Sequence, residues 1–208
     1  MTVNPRPASP RKEELLERAY RYALEHGLAD LSLRPLAAAI GSSPRVLLFL
    51  FGSKDGLVSE LLARARRDEL AFLADATAGQ PGDLAAAVAA TWRWLAEDQF
   101  RPLLTLWTDA YARSLADPNG PWSGFAARSV ADWLEVLGAA GPPDQPTDPE
   151  GESGQAAASD RTLALAVLRG CLLDLLATGD VQRIGRAVAG YASVIGGGRW
   201  RRSVDADE

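Results

Sequence analysis

Ser42, Ser43, Pro44 and Arg45 stand in a row, with Phe49 and Lys54 a short way on. Arginine is a rigid fork of donors whose commonest base-specific partner is guanine, whereas lysine is a point charge suited to phosphate. A serine followed by proline is a helix cap followed by the residue favoured at the first helical position, so Arg45 falls in the first turn of a helix. A helix that enters the major groove end-on offers bases only its first few side chains, and here those are Ser42, Ser43, Pro44 and Arg45. Lys54 occupies the first turn of the next helix, where a cation opposes the macrodipole unless a phosphate lies beside it. Arg34 stands at another serine-led start, and such starts at Ser32, Ser43 and Ser53 favour phosphate as well. The chemistry implied is recognition of double-stranded DNA. Spacing alone fits equally well a plain helical hairpin with solvated charges.

Other chemistries find little material. With one cysteine and one histidine in 208 residues, neither a disulfide, a cysteine zinc site nor a histidine-dependent triad can be assembled. Cys171 sits in a Leu- and Gly-rich stretch, and a buried thiol of that kind is mostly inert. No enzymatic activity, cofactor or metal is expected.

These residues need helices to position them. Hydrophobic residues make up 47% and charged residues 24%, alternating strand patterns are absent, and apolar residues recur at helical spacing, which predicts an all-α chain. Residues 1–10 form an expected flexible arm and 11–60 a three-helix helix-turn-helix unit. The first helix runs from about Arg11 to His26 with Leu15, Ala19, Tyr22 and Ala23 on one face. A second carries Leu33, Leu36, Ala37 and Ile40 inward. The third is very short, about 44–50, and the fourth runs to about Ala74. Residues 61–195 form a larger helical domain interrupted by a proline-rich, acidic mobile loop at 141–159, and 196–208 a disordered tail. No apolar run is long enough for a membrane span and the start lacks a signal-peptide core, so the protein is expected in the cytoplasm, away from membranes. The net charge of −5 is unevenly spread: residues 1–60 sum to +1 and the remainder to −6. An acidic body leaves only the first segment to meet a polyanion.

The larger domain is rich in aromatic residues on helices with few charges, the composition of a pocket for a mainly apolar small molecule. Its candidate lining is Trp92, Leu103, Leu106, Trp107, Tyr111, Phe125, Trp133 and Cys171; packing as ordinary core remains the alternative for each aromatic. Trp92 and Trp94 are about 200° apart around one helix and face different neighbours. Asp109 falls off the apolar stripe and is expected in solvent. Helix 160–177 is apolar nearly all round, which requires cover on both faces. With the last helix, about 181–195, it supplies a candidate homodimer interface of Leu165, Leu172, Ile184, Val188, Tyr191 and Ile195. Asp174, inside the apolar run, needs a partner if buried, with Arg169, a ligand or solvent as candidates.

The stretch Lys12–Leu61 resembles the TetR family of regulators. The residues that carry the resemblance are Gly27, then Leu33-x-x-Leu36-Ala37-x-x-Ile40-Gly41-Ser42-Ser43, then Leu47, Phe51-Gly52-Ser53-Lys54-Asp55-x-Leu57. The rest of the chain matches in helical layout only. The resemblance implies a homodimer with one DNA-reading head per subunit, an inducer pocket in the larger domain, and repression of a palindromic operator relieved by that inducer. It also implies a tyrosine and often a histidine on phosphates where this chain has Leu48 and Leu50. Those two contacts cannot be carried over. The phosphate grip then shifts to Lys54, Arg34, Arg6, Arg11 and Lys12, while the Leu48-Phe49-Leu50 run packs against thymine methyls or joins the core, with core favoured for Leu48. A helical dimer whose head is degenerate, or which binds DNA without an inducer, stays open beside this.

Overall fold

The structure, a computed structural model, describes residues 9–28, 31–77, 83–139 and 152–197. Among them all regular structure is helical: α1 Pro10–His26, α2 Leu33–Ala39, α3 Pro44–Phe51, α4 Lys54–Thr77, α5 Leu84–Leu95, α6 Arg101–Ala116, α7 Phe125–Ala139, α8 Glu152–Thr178 and α9 Val181–Gly196, with a single 3-10 turn at Asp98–Phe100. By internal contacts the chain divides into two compact units, one of Met1–Asp68 with Pro102–Ala126 and one of Glu69–Arg101 with Ala127–Glu208. In this division α6 groups with the N-terminal helices.

In the first unit, local signals set the ends of the short helices. Ser9 Oγ accepts from the backbone N–H of Lys12 and Pro10 is the first residue of α1, so Pro10 opens a helix and is not part of an arm. Gly41 and Gly52, at φ of 68° and 77°, take the left-handed conformation that lets the chain leave α2 and α3 abruptly. Ser43 Oγ caps α3 through the Val46 N–H, and Ser53 Oγ accepts from Gly56 at the start of α4. Ser32 precedes α2 but its side chain makes no capping bond. Leu15, Ala19, Ala23, Leu36, Ile40, Leu47, Phe51, Leu57 and Leu61 are buried as the core of these helices. Charge reinforces them: Lys12 pairs with Glu60 and lies 5.3 Å from the Phe51 ring centroid. Arg64 pairs with Glu17 and Asp68 while lying over the Tyr20 ring. Burial, with Asp68 beside it, pushes the Tyr20 phenol above its ordinary range.

In the second unit α5, α8 and α9 pack together. Asp83 caps α5 and Asp180 caps α9 through their carboxylates, as their positions before apolar runs lead one to expect. α8 begins at Glu152, so the mobile loop expected over 141–159 is corrected for its last eight residues. The Gln-Ala-Ala-Ala run at 155–158 has high intrinsic helix propensity even without large apolar side chains. Residues 140–151, the N-terminal residues 1–8 and the tail beyond 197 lie outside the described residues, as do the expectations for them.

Candidate functional site

The axes of α2 and α3 bend by 101° across the break between them, within the range of a helix-turn-helix. Arg18 Nη1 of α1 donates to the Ile40 carbonyl at 3.3 Å, tying α1 to the turn between them. On α3 the spacing separates two faces. Leu47 and Phe51, four apart, are buried; Arg45, Val46, Leu48 and Phe49 are exposed, Phe49 at 85% and Leu48 at 42%. The placement favoured for Leu48 in the core is therefore corrected: Leu47 and Phe51 fill the inward face, and one step beyond Leu47 a side chain points outward. Leu50 is half-buried.

The cations sort into two groups. Arg11 pairs with Glu14 at 2.7 Å and Lys12 with Glu60, so these two, assigned to phosphate from sequence, are engaged within the chain. Arg34, Arg45 and Lys54 are exposed and make no ion pair among the described residues. Ser43 and Ser53 are exposed and capping, Pro44 is half-buried at the first turn of α3, and the half-buried Ser42 has a hydroxyl with no hydrogen-bond partner among the described residues. The start of α3 thus presents a cap at Ser43, an exposed arginine and an exposed apolar pair, Leu48 and Phe49.

Away from the head, the first unit buries Leu103, Leu106, Trp107 and Phe125 and half-buries Tyr111, whose ring centroid lies 5.0 Å from that of Trp107. Asp109 is half-buried and paired with Arg113 at 2.9 Å, not free in solvent. In the second unit Trp92 and Trp133 are buried, and Trp133 Nε1 donates to Glu69 Oε1 at 2.6 Å. Trp94, with its ring centroid 5.4 Å from Phe100 and 6.5 Å from Trp133, completes an aromatic cluster with Phe72. Trp94 Nε1 and Thr91 Oγ1 are buried with no hydrogen-bond partner among the described residues. Sequence reasoning did not select Glu69, Phe72, Thr91, Trp94 or Phe100. A signal for Glu69 existed: Leu57, Leu61, Ala65, Glu69 and Leu73 recur every four residues, and the carboxylate interrupts that stripe.

Cys171 is half-buried, and burial reinforced by Asp174 pushes its thiol up, away from the reactive thiolate. Asp174 is exposed and paired with Arg183 at 3.4 Å, which removes the buried-carboxylate question. Among the interface candidates, Leu165, Leu172, Ile184 and Val188 are buried within this chain, and Tyr191 and Ile195 are half-buried. The exposed stripe of α8 is instead Ala166, Gly170, Leu173 and Ala177, and that of α9 is Ala187, Gly190 and Val194. Among the described residues no group of His, Cys, Asp and Glu could hold a metal ion, and no single helix is long and apolar enough to cross a membrane.

Residues 15–61 match the family model described as bacterial regulatory proteins, tetR family. No curated protein matches the chain. Among solved structures, one described as a TetR-family transcriptional regulator from Rhodococcus sp. is similar at 17% identity and a TM-score of 0.69, over 89% of this chain and 98% of that one. The multidrug binding protein EbrR complexed with imidazole is similar at 22% identity and a TM-score of 0.61, over 89% and 92% of the two chains. EbrR complexed with proflavin is similar at 22% identity and a TM-score of 0.58, over 86% and 97%. At these identities the likeness is one of fold.

Proposed function

We propose that this chain is a TetR-family protein, a dimeric, ligand-responsive DNA-binding regulator that represses from a palindromic operator; the match of residues 15–61 to the family model and the likeness of fold support this reading. The observation that carries this is α3: an eight-residue helix, capped by Ser43 and bent 101° from α2, whose outward face begins with an exposed Arg45 that makes no ion pair among the described residues. That face would enter the major groove, with Arg45 on a guanine and Arg34 and Lys54 on flanking phosphates.

Release by a mainly apolar small molecule is supported by the aromatic cluster of the second unit. Its buried Trp94 N–H and Thr91 hydroxyl lack partners among the described residues, and a molecule that carries a hydrogen-bond acceptor would satisfy them. The fold neighbour EbrR is itself a multidrug binding protein. Trp107 and Tyr111 form the second candidate lining. Titration with panels of flat acceptor-bearing compounds against Trp94→Phe, Trp107→Phe and Trp133→Phe assigns the cluster by which variant loses fluorescence quenching.

Dimerisation is read onto the outward stripes of α8 and α9, where small residues permit close helix approach. A head that no longer selects sequence is the second reading, favoured by Leu48 and Leu50, which offer no hydrogen bond to phosphate. Selection of binding sites from random duplexes separates the two. A recovered palindrome is expected. Arg45→Ala should then cost about 1–3 kcal/mol per half-site and relax one base position. Lys54→Ala should weaken binding to all duplexes alike and lower the salt slope by about one per lost contact, roughly two for the dimer. Recovery of no consensus would favour the degenerate head.

A further inference from the structure

The outward face of α3 carries exposed apolar side chains beside the exposed Arg45, and we propose that Phe49, with Leu48 beside it, recognises the 5-methyl group of thymine in the operator half-site. This rests on α3 being the helix that enters the major groove. The core does not account for Phe49: Leu47 and Phe51 already fill the inward side, and Phe49 is the most exposed of the exposed large apolar side chains. It lies four positions after Arg45 and Leu48 three, so all three share the face on which Arg45 lies.

Neither Phe49 nor Leu48 can grip phosphate, having no donor. An apolar protein surface is a poor match for a face that opens with the exposed Arg45, a charge with no ion pair among the described residues. A polyanion that also displays an apolar group answers both features. In the major groove thymine alone offers one, its methyl, and contact with it is the means by which a side chain without hydrogen bonds can discriminate a base.

The test uses the full chain and the duplex recovered by site selection. Each thymine is replaced singly by uracil, which removes the methyl and leaves base pairing unchanged. Wild type should lose about fourfold in affinity per half-site at one or two positions, the worth of one buried methyl group. Phe49→Ala, or Phe49→Ala with Leu48→Ala, should bind the thymine and uracil duplexes alike while keeping the Arg45-dependent base preference and the salt slope. Phe49→Leu should restore part of the thymine preference. Unchanged circular dichroism and melting are expected, since these side chains are exposed. If every uracil duplex binds wild type as the thymine duplex does, or the alanine variants keep the ratio, the proposal is overturned while sequence-selective binding stands. If wild type recovers no consensus at all, the reading of α3 as a groove helix fails, and this proposal fails with it.

Discussion

Glu69 is a carboxylate at a position its helix otherwise gives to core residues, 3% exposed and accepting from Trp133 Nε1. A buried indole N–H left without its acceptor costs about 1–3 kcal/mol. Glu69→Leu should therefore lower stability by that order in urea unfolding, although leucine suits the apolar stripe. Glu69→Gln keeps an acceptor oxygen and should cost less; equal losses for both would show that charge, not the hydrogen bond, matters there. Tyr20 supplies a pH effect. Burial first, then Asp68, raises its phenol above the ordinary value of 10.0. The unfolded chain loses that proton earlier than the folded one, so the stability it contributes is complete below the ordinary value and declines as pH rises beyond it. Thermal melts between about pH 8 and about pH 11 should show a shallower decline for Tyr20→Phe than for wild type. Single side chains of this kind were partly legible: the four-residue repeat exposes Glu69 as an intruder, but its partner sixty-four residues on is not visible in any local pattern.

The short helices of the head are held by punctuation more than by length. Ser43→Ala removes a cap and should cost about 1 kcal/mol. It should weaken DNA binding evenly across sequences, since the Ser43 hydroxyl is taken up in capping α3 and its loss loosens the helix. Gly56 is more demanding. A Cβ there would overlap the Phe51 carbonyl oxygen, a backbone atom that cannot turn aside. Gly56→Ala should therefore destabilise the head by about 1–3 kcal/mol, read by urea unfolding against the wild-type chain. Caps and glycine stops could be read from the sequence because each acts within a few residues. The closeness of Gly56 to α3 could not, because it depends on how two helices are joined.

For the molecule as a whole, the stripes of α8 and α9 proposed to form the dimer predict which substitutions separate assembly from folding. Leu173 is 53% exposed, so Leu173→Glu should leave the helical spectrum intact and give monomers by light scattering. Val188 is buried in its own chain, and Val188→Glu should unfold or aggregate the protein, the cost of an unpaired buried charge. A Leu173→Glu protein that remains dimeric would move the interface elsewhere. Uneven charge belongs to this scale as well: the acidic remainder of the chain leaves the proposed DNA contact to the head, and raised salt should weaken that contact.

The amino-acid sequence by itself determined the helical class, the order of the helices, the capped start at Ser43-Pro44, and the resemblance of residues 12–61 to a regulator head. Each of these depends on period, cap or breaker residues close together in the chain. Tertiary structure decided which side of each helix faces inward. Leu48 and Leu47 have the same composition and neighbouring positions, yet one is exposed and the other buried, because only the packing of α3 assigns its faces. Leu165, Leu172, Ile184 and Val188 read as an interface until α5, α8 and α9 close over them. Lys12 reads as a free cation until Glu60, forty-eight residues away, takes it up. Hydrophobic periodicity says that a face will be covered; what covers it depends on contacts distant in sequence.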